Sequence, residues 1–340
     1  MRRLLSILML AFALLAMTSS DNYTHIYIIG DSTAAEKKNP ETNPERGWGM
    51  VFQGCLDDQV LVHNFAVNGR SSKSFIAEGR WQDIMDKLQP GDYVFIQFGH
   101  NDEKKDQVDR YTTAGGTFDK NLERFCKDAQ AKGAIPVLFS PVVRRNFLDK
   151  KKLNKAVKLA GEDDDEKLRN NAYKDDEEKV NSDTLIDTHK EYRFSAGNVA
   201  KKMGVAYVDA CTITKNIENK LGVKGSRKLH MWFKPGEVSS IPPGRKDNTH
   251  YSVYGAHVVA NALADEIGAQ VPALKRHIRH YDYVVSKKGR GNYMDLQKAV
   301  DEAPENVETK ILVLGGFWPK PNIPKTKNIK FTLYFGAVIR

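Results

Sequence analysis

Four short polar motifs contain the residue types that acyl transfer needs: Gly30-Asp-Ser-Thr33, Asn64-Phe-Ala-Val-Asn-Gly-Arg70, Gly99-His-Asn-Asp102 and Asp247-Asn-Thr-His250. Such a reaction requires an activated nucleophile, a base that can return its proton as an acid, and donors for the developing oxyanion. Ser32 is the candidate nucleophile and His250 the candidate base. Asp247, three residues before His250, can reach the other imidazole nitrogen and fix its tautomer. The oxyanion would meet the backbone N–H groups of Ser32 and Gly69 and the side-chain amide of Asn101, with glycine at 69 admitting close backbone approach. Each residue has an ordinary alternative. Ser32 could cap a helix, Asn101 could close an Asx-turn, Gly69 could serve only its turn, Asp247 could be a loop carboxylate and His250 could sit just before a helix cap. Taken one by one, those readings are favoured for all except Ser32; taken together and in this order, the chemical reading is.

The elements around the motifs are short apolar strands alternating with amphipathic helices. Ile26–Ile29 is an apolar run that stops at Gly30, so Ser32 is held on the turn after a buried strand. The sequence predicts a second strand over 61–67, a helix over 72–88, a near-continuous apolar strand over 93–98 and a helix N-capped by Thr117 and stopped at Gly133. A strand over 135–139, a helix from Ser195, a strand over 205–210 and a helix from Ser252 to Gly268 complete the alternation. This order predicts an α/β fold with a mainly parallel sheet covered on both faces, whose sites form at the carboxyl ends of the strands. The first three motifs lie at strand ends, and Asp247–His250 falls in the final loop.

The chain has 340 residues, a formal charge of +9 and no basic block suggesting a nucleic-acid module. Arg2, Arg3, the apolar run 4–17 and the small residues after it have the form of a secretory signal, so residues 1–20 are set aside from the fold, and no membrane association is expected after cleavage. Three widely spaced cysteines suit neither a disulfide framework nor a zinc site and read as small buried residues. The segment 148–183 is dense in charge and reads as a solvated insertion. Because Ser32 is not in a G-x-S-x-G elbow, the lipase-type strand–turn–helix nucleophile is disfavoured.

The four motifs resemble the sequence blocks of the SGNH (GDSL-type) hydrolases over roughly residues 24–270. Thr33, Gly47-Trp-Gly49, Gly115-Gly-Thr-Phe118 and Ser140-Pro-Val-Val-Arg-Arg145 make the resemblance greatest to the rhamnogalacturonan acetylesterase group. The resemblance implies a three-layer α/β/α sandwich over residues 21–272, flavodoxin-like in shape, with no metal or cofactor. It implies Ser32 as nucleophile, Gly69 and Asn101 in the oxyanion hole, and Asp247 with His250 in the triad. The implied activity is a secreted esterase that removes O-acetyl groups from pectic polysaccharide of the plant cell wall.

Residues 281–340 differ in character. Tyr283–Pro304, Lys310–Leu314 and Asn328–Phe331 resemble the opening of a pectin methylesterase, a right-handed parallel β-helix, of which only the beginning is recognisable. The catalytic carboxylates, glutamines and arginine of that family have no counterpart, so no pectin methylesterase activity is expected. Sixty residues of this pattern are expected to lack a closed core of their own. Two alternatives compete with the pectic reading: a xylan or lipid esterase of the same superfamily, and a non-catalytic polysaccharide-binding protein on this fold.

Overall fold

The computed structural model describes residues 23–149, 152, 178 and 180–340. The expected secretory segment and most of the charged insertion at 148–183 lie outside the described residues. Strands β1 (Thr24–Gly30) and β2 (Glu45–Arg46) are followed by the short helix α1 (Trp48–Val51), strand β3 (Val60–Asn64), helices α2 (Ser72–Ala77) and α3 (Arg80–Met85), and strand β4 (Tyr93–Gln97). Then come α4 (Thr117–Ala131), β5 (Ile135–Phe139), α5 (Tyr192–Met203), β6 (Ala206–Val208), α6 (Ala210–Gly225), β7 (His230–Phe233), β8 (Arg245–Ser252), α7 (Val253–Gln270) and α8 (Pro272–Lys275).

Five strands form one all-parallel sheet in the order β3-β1-β4-β5-β6. Counted within the sheet this is 2-1-3-4-5, the flavodoxin order, whose direction reverses between β1 and β4. Alternation along the strands sorts the side chains onto two faces. Ile26, Ile28, Phe95, Val137 and Phe139 pack with Trp48, Phe52 and the α7 residues Val259, Leu263 and Ile267. Tyr27, Ile29, Val94, Ile96 and Leu138 pack on the other face with Phe75, Trp81, Phe125 and Val199 from α2 to α5. Each such side chain, fully withdrawn from water, contributes roughly 1.5–3 kcal/mol. The result is the three-layer α/β/α sandwich.

Several elements differ from the expectation. The helix over 72–88 is two helices, because Gly79 adopts φ +74° between them. Thr117 is the first residue of α4 rather than its cap. Gly116 is the capping residue, and the Thr117 hydroxyl instead accepts the N–H of Thr113. Asp247–His250 is not in a loop. It lies in β8, which with β2 and β7 forms an antiparallel sheet that the sequence did not reveal. The reason is compositional: Arg-Lys-Asp-Asn-Thr-His-Tyr-Ser has no alternating apolar residues to signal a strand.

The C-terminal segment departs from expectation in having a core of its own. Strands β9 (Tyr283–Ser286), β10 (Glu308–Leu314) and β12 (Asn328–Tyr334) pair in parallel and in chain order, and β11 (Phe317–Trp318) pairs with β13 (Val338–Ile339). Helix α9 (Leu296–Glu302) packs its buried Leu296, Ala299 and Val300 against Val285, Ile311 and Val313, with Trp318 alongside. A small core therefore does close, because the helix covers one side of the strands. The segment also touches the main unit: Arg46 Nε donates to the Gly289 carbonyl at 2.8 Å, and Arg290 pairs with Glu36 at 3.1 Å.

Candidate active site

The turn after β1 is built before any chemistry is considered. The Asp31 carbonyl accepts the N–H groups of Ala34 and Ala35, and its carboxylate accepts the N–H and hydroxyl of Thr33. Gln97, at the end of β4, bonds the Thr33 hydroxyl at 3.2 Å and accepts the Trp48 indole N–H at 2.7 Å. Gly47 lies so close to this turn that a Cβ would come within 2.4 Å of the Ala34 and Ala35 backbone. Ser32 is thereby presented at the switch point of the sheet. Burial raises the Asp31 carboxyl above its ordinary range, against the opposing pull of its bonds to Thr33.

His250 Nε2 lies 2.8 Å from Ser32 Oγ, and His250 Nδ1 lies 3.0 and 3.2 Å from the two Asp247 carboxylate oxygens. With Nδ1–H donated to the carboxylate, Nε2 is left to accept from the hydroxyl. Asp247 Oδ1 also accepts the N–H groups of Thr249 and His250, at 2.9 and 3.0 Å. This compact arrangement comes from a bulge. His230 of β7 faces Tyr251, whereas the next residue, Met231, faces Asp247, so Asn248, Thr249 and His250 bulge out between these two register pairs. A regular strand would send residues 247 and 250 to opposite faces; the bulge re-aims them toward each other.

Gly69 has φ +74°, a conformation that a side chain at this position would strain. Among the described residues, the N–H groups of Ser32 and Gly69 donate to no protein acceptor. Asn101 donates one amide hydrogen to the Arg70 carbonyl at 3.1 Å and keeps a second. The structure thus brings Ser32, His250 and Asp247 into one hydrogen-bonded chain and ties Asn101 to the Gly69 turn.

Residues outside the catalytic motifs hold these parts in register. Lys37 is buried, and its Nζ donates to the Ser32 carbonyl at 2.6 Å, to Asn68 Oδ1 at 2.7 Å and pairs with Glu45 at 2.8 Å. One ammonium therefore joins the serine turn to the residue before Gly69. Arg145 is fully buried: its N–H donates to the Asn248 carbonyl, its guanidinium bonds the Asn248 side chain and pairs with Glu178, and it stacks on Trp232. It fastens the β8 bulge. Arg144 does the same for the other side, pairing with Glu103 and donating to the His100 carbonyl at 3.2 Å. A lysine among several charged residues gives no signal in one dimension, but the adjacent arginines of Ser140-Pro-Val-Val-Arg-Arg145 did stand out as a motif.

Burial alone would raise Glu103, but Arg144 and His189 outweigh it and hold the carboxyl at about 2. Its folded value lies below the unfolded 4.5, so the stabilisation is complete above pH 4.5 and is lost as pH falls toward 2. The difference amounts to about 3 kcal/mol. Urea unfolding between pH 6 and about 3 should therefore show a shallower pH dependence for Glu103→Gln than for the wild type. Equal slopes would remove this account of Glu103. The neighbouring Asp102 behaves oppositely: burial raises it to about 7, although Ser72 and Thr112 donate hydrogen bonds to it.

A flavodoxin-ordered sheet with this chain of hydrogen bonds at its switch point defines the class as the carboxylic ester hydrolases of three-layer α/β/α fold. The GDSL-like lipase/acylhydrolase family model matches residues 26–263, and the chain belongs to that family. It is 34% identical to the rhamnogalacturonan acetylesterase RhgT of Bacillus subtilis (strain 168), over 78% of this chain and 96% of that protein. It is 41% identical to the probable rhamnogalacturonan acetylesterase YesY of the same organism, over 72% of this chain and 92% of that protein. The crystal structure of the B. subtilis protein YxiM superposes with a TM-score of 0.54 at 20% identity, covering 74% of this chain and 58% of that one, a likeness of fold.

Proposed function

We propose that this protein is an exported carbohydrate esterase that removes O-acetyl groups from acidic pectic polysaccharide, rhamnogalacturonan, through a Ser-His-Asp acyl-enzyme mechanism. The observation that carries the mechanism is the 2.8 Å contact between Ser32 Oγ and His250 Nε2, continued from Nδ1 to Asp247. Ser32 Oγ attacks the acetyl carbonyl as His250 takes its proton. The developing oxyanion accepts hydrogen bonds from Ser32 N–H, Gly69 N–H and the Asn101 amide, each of which is worth about 3–4 kcal/mol when aimed at the transition state. Asp247 stabilises the imidazolium, which then protonates the departing sugar oxygen as the ester C–O bond breaks, releasing the free hydroxyl. Water, activated by the same histidine, releases acetate and restores Ser32.

The substrate class is supported by the two acetylesterase relatives. The resemblance of residues 281–340 to an enzyme family that acts on pectin methyl esters points to the same polymer, and the signal-like residues 1–20 support export. Acetate release from acetylated rhamnogalacturonan, measured beside acetylated xylan and a long-chain acyl ester, tests the reading. Preference for the pectic polymer is expected. Release from xylan alone would retain an esterase and overturn the pectic substrate, and preference for the long acyl chain would make it a lipid esterase.

A further inference from the structure

A second surface of the molecule has the chemistry to hold the polymer. A groove of about 530 Å³ lies between β7, the start of α7 and the residues after α6. Lys224, Arg227, Lys228 and Lys234 line it, with Glu237 the single acid among its lining residues. Arg227 is already paired, to Glu178 at 3.1 Å. Lys224 and Lys228 are exposed, and among the described residues neither has a carboxylate partner. Two aromatic rings accompany these cations. Tyr254 is 47% exposed, with the Lys228 ammonium 5.1 Å from its ring centre, and Trp232 also lines the groove, its ring stacked with Arg145 and Arg227.

Exposed ammonium groups beside a half-exposed tyrosine ring match one kind of ligand well. A sugar ring presents C–H groups that pack on an aromatic face, and a uronate adds a carboxylate that pairs with a lysine. The groove also joins the proposed catalytic centre through a short physical path. The Trp232 indole N–H donates to Asn248 Oδ1 at 2.8 Å, and Asn248 stands in the bulge between Asp247 and His250. Ser252 and Tyr254, further groove residues, lie two and four residues after His250 on the chain.

We infer that this groove is a binding subsite for a uronate residue of an acidic oligosaccharide, with Lys224 and Lys228 pairing with the carboxylate and Tyr254 carrying the ring. It rests on the esterase reading only for the choice of polymer; the groove's charge and aromatic faces stand without it. An exposed ion pair changes affinity a few-fold, so losing two should weaken binding about ten-fold.

The test measures binding of a deacetylated rhamnogalacturonan oligosaccharide by titration calorimetry, using the full-length protein, Lys224→Gln/Lys228→Gln, Tyr254→Ala and Lys228→Arg. The ratio of kcat/KM on the acetylated polymer to that on an aryl acetate is followed in parallel. About ten-fold weaker binding and a similar fall in the ratio are expected for the double variant. Lys228→Arg should remain near the wild type, and salt raised to about 0.5 M should abolish most of the difference. Unchanged affinity in both the double variant and Tyr254→Ala would overturn the subsite while leaving the esterase intact. Binding that depends on the lysines in a protein that releases no acetate would do the reverse. If dextran sulfate bound as tightly and Tyr254→Ala made no difference, the groove would be a general polyanion surface and the uronate assignment would fall.

Discussion

Ser32→Ala is expected to lower kcat on an aryl acetate by about 10⁴- to 10⁶-fold, the range found when a serine hydrolase loses its nucleophile. The substitution removes one oxygen from a half-buried side chain. The turn itself does not depend on that oxygen: Lys37 binds the Ser32 backbone carbonyl, and Asp31, Thr33 and Gln97 bond one another. Stability should therefore change by no more than about 0.5 kcal/mol, and thermal unfolding of the variant is the control. Polymer binding should survive. A variant that is folded and retains more than about a tenth of the activity would show that another group attacks the ester, and the assignment of Ser32 would be abandoned.

Asp247→Asn is expected to cost about 10⁴-fold in kcat with little loss of substrate binding. Here the change is electronic. An asparagine Oδ1 can still accept the N–H groups of Thr249 and His250, so the bulge keeps its local bonds. Its amide NH₂ then replaces the oxygen that faces His250 Nδ1 at 3.0 Å. A donor in that position forces the proton onto Nε2, which can no longer accept from Ser32. Asp247→Ala should lose stability as well, because two buried N–H groups lose their acceptor. Combining Asp247→Asn with Ser32→Ala should add almost nothing to the Ser32→Ala loss, since the two residues act as a unit. Additive losses would mean that Asp247 works through some other route.

Legibility in one dimension followed the range of the interaction. The strands Thr24–Gly30, Tyr93–Gln97 and Ile135–Phe139 stood out as apolar runs because a sheet covered on both faces buries every residue of its central strands. The serine turn and the Asn101 turn were readable because short polar residues end those runs abruptly. Helix α6 and strands β7 and β8 carry no such pattern, so the sequence signals neither of the first two and only a loop at the third. The small core of residues 281–340 is not legible in the sequence because it depends on α9 folding back over strands on either side of it in the chain.

The sequence by itself determined the fold class, the order of the polar motifs and which residue types stood ready for acyl transfer, all of which rest on hydrophobic periodicity and local turn chemistry. Only the tertiary structure decided how those motifs meet. The β8 bulge turns His250 and Asp247 onto one line with Ser32, and Lys37, Arg144 and Arg145 fasten the three sides of the site. Those contacts join residues that are distant in sequence, and a buried charge becomes a brace only once folding has withdrawn it from water and supplied its partners.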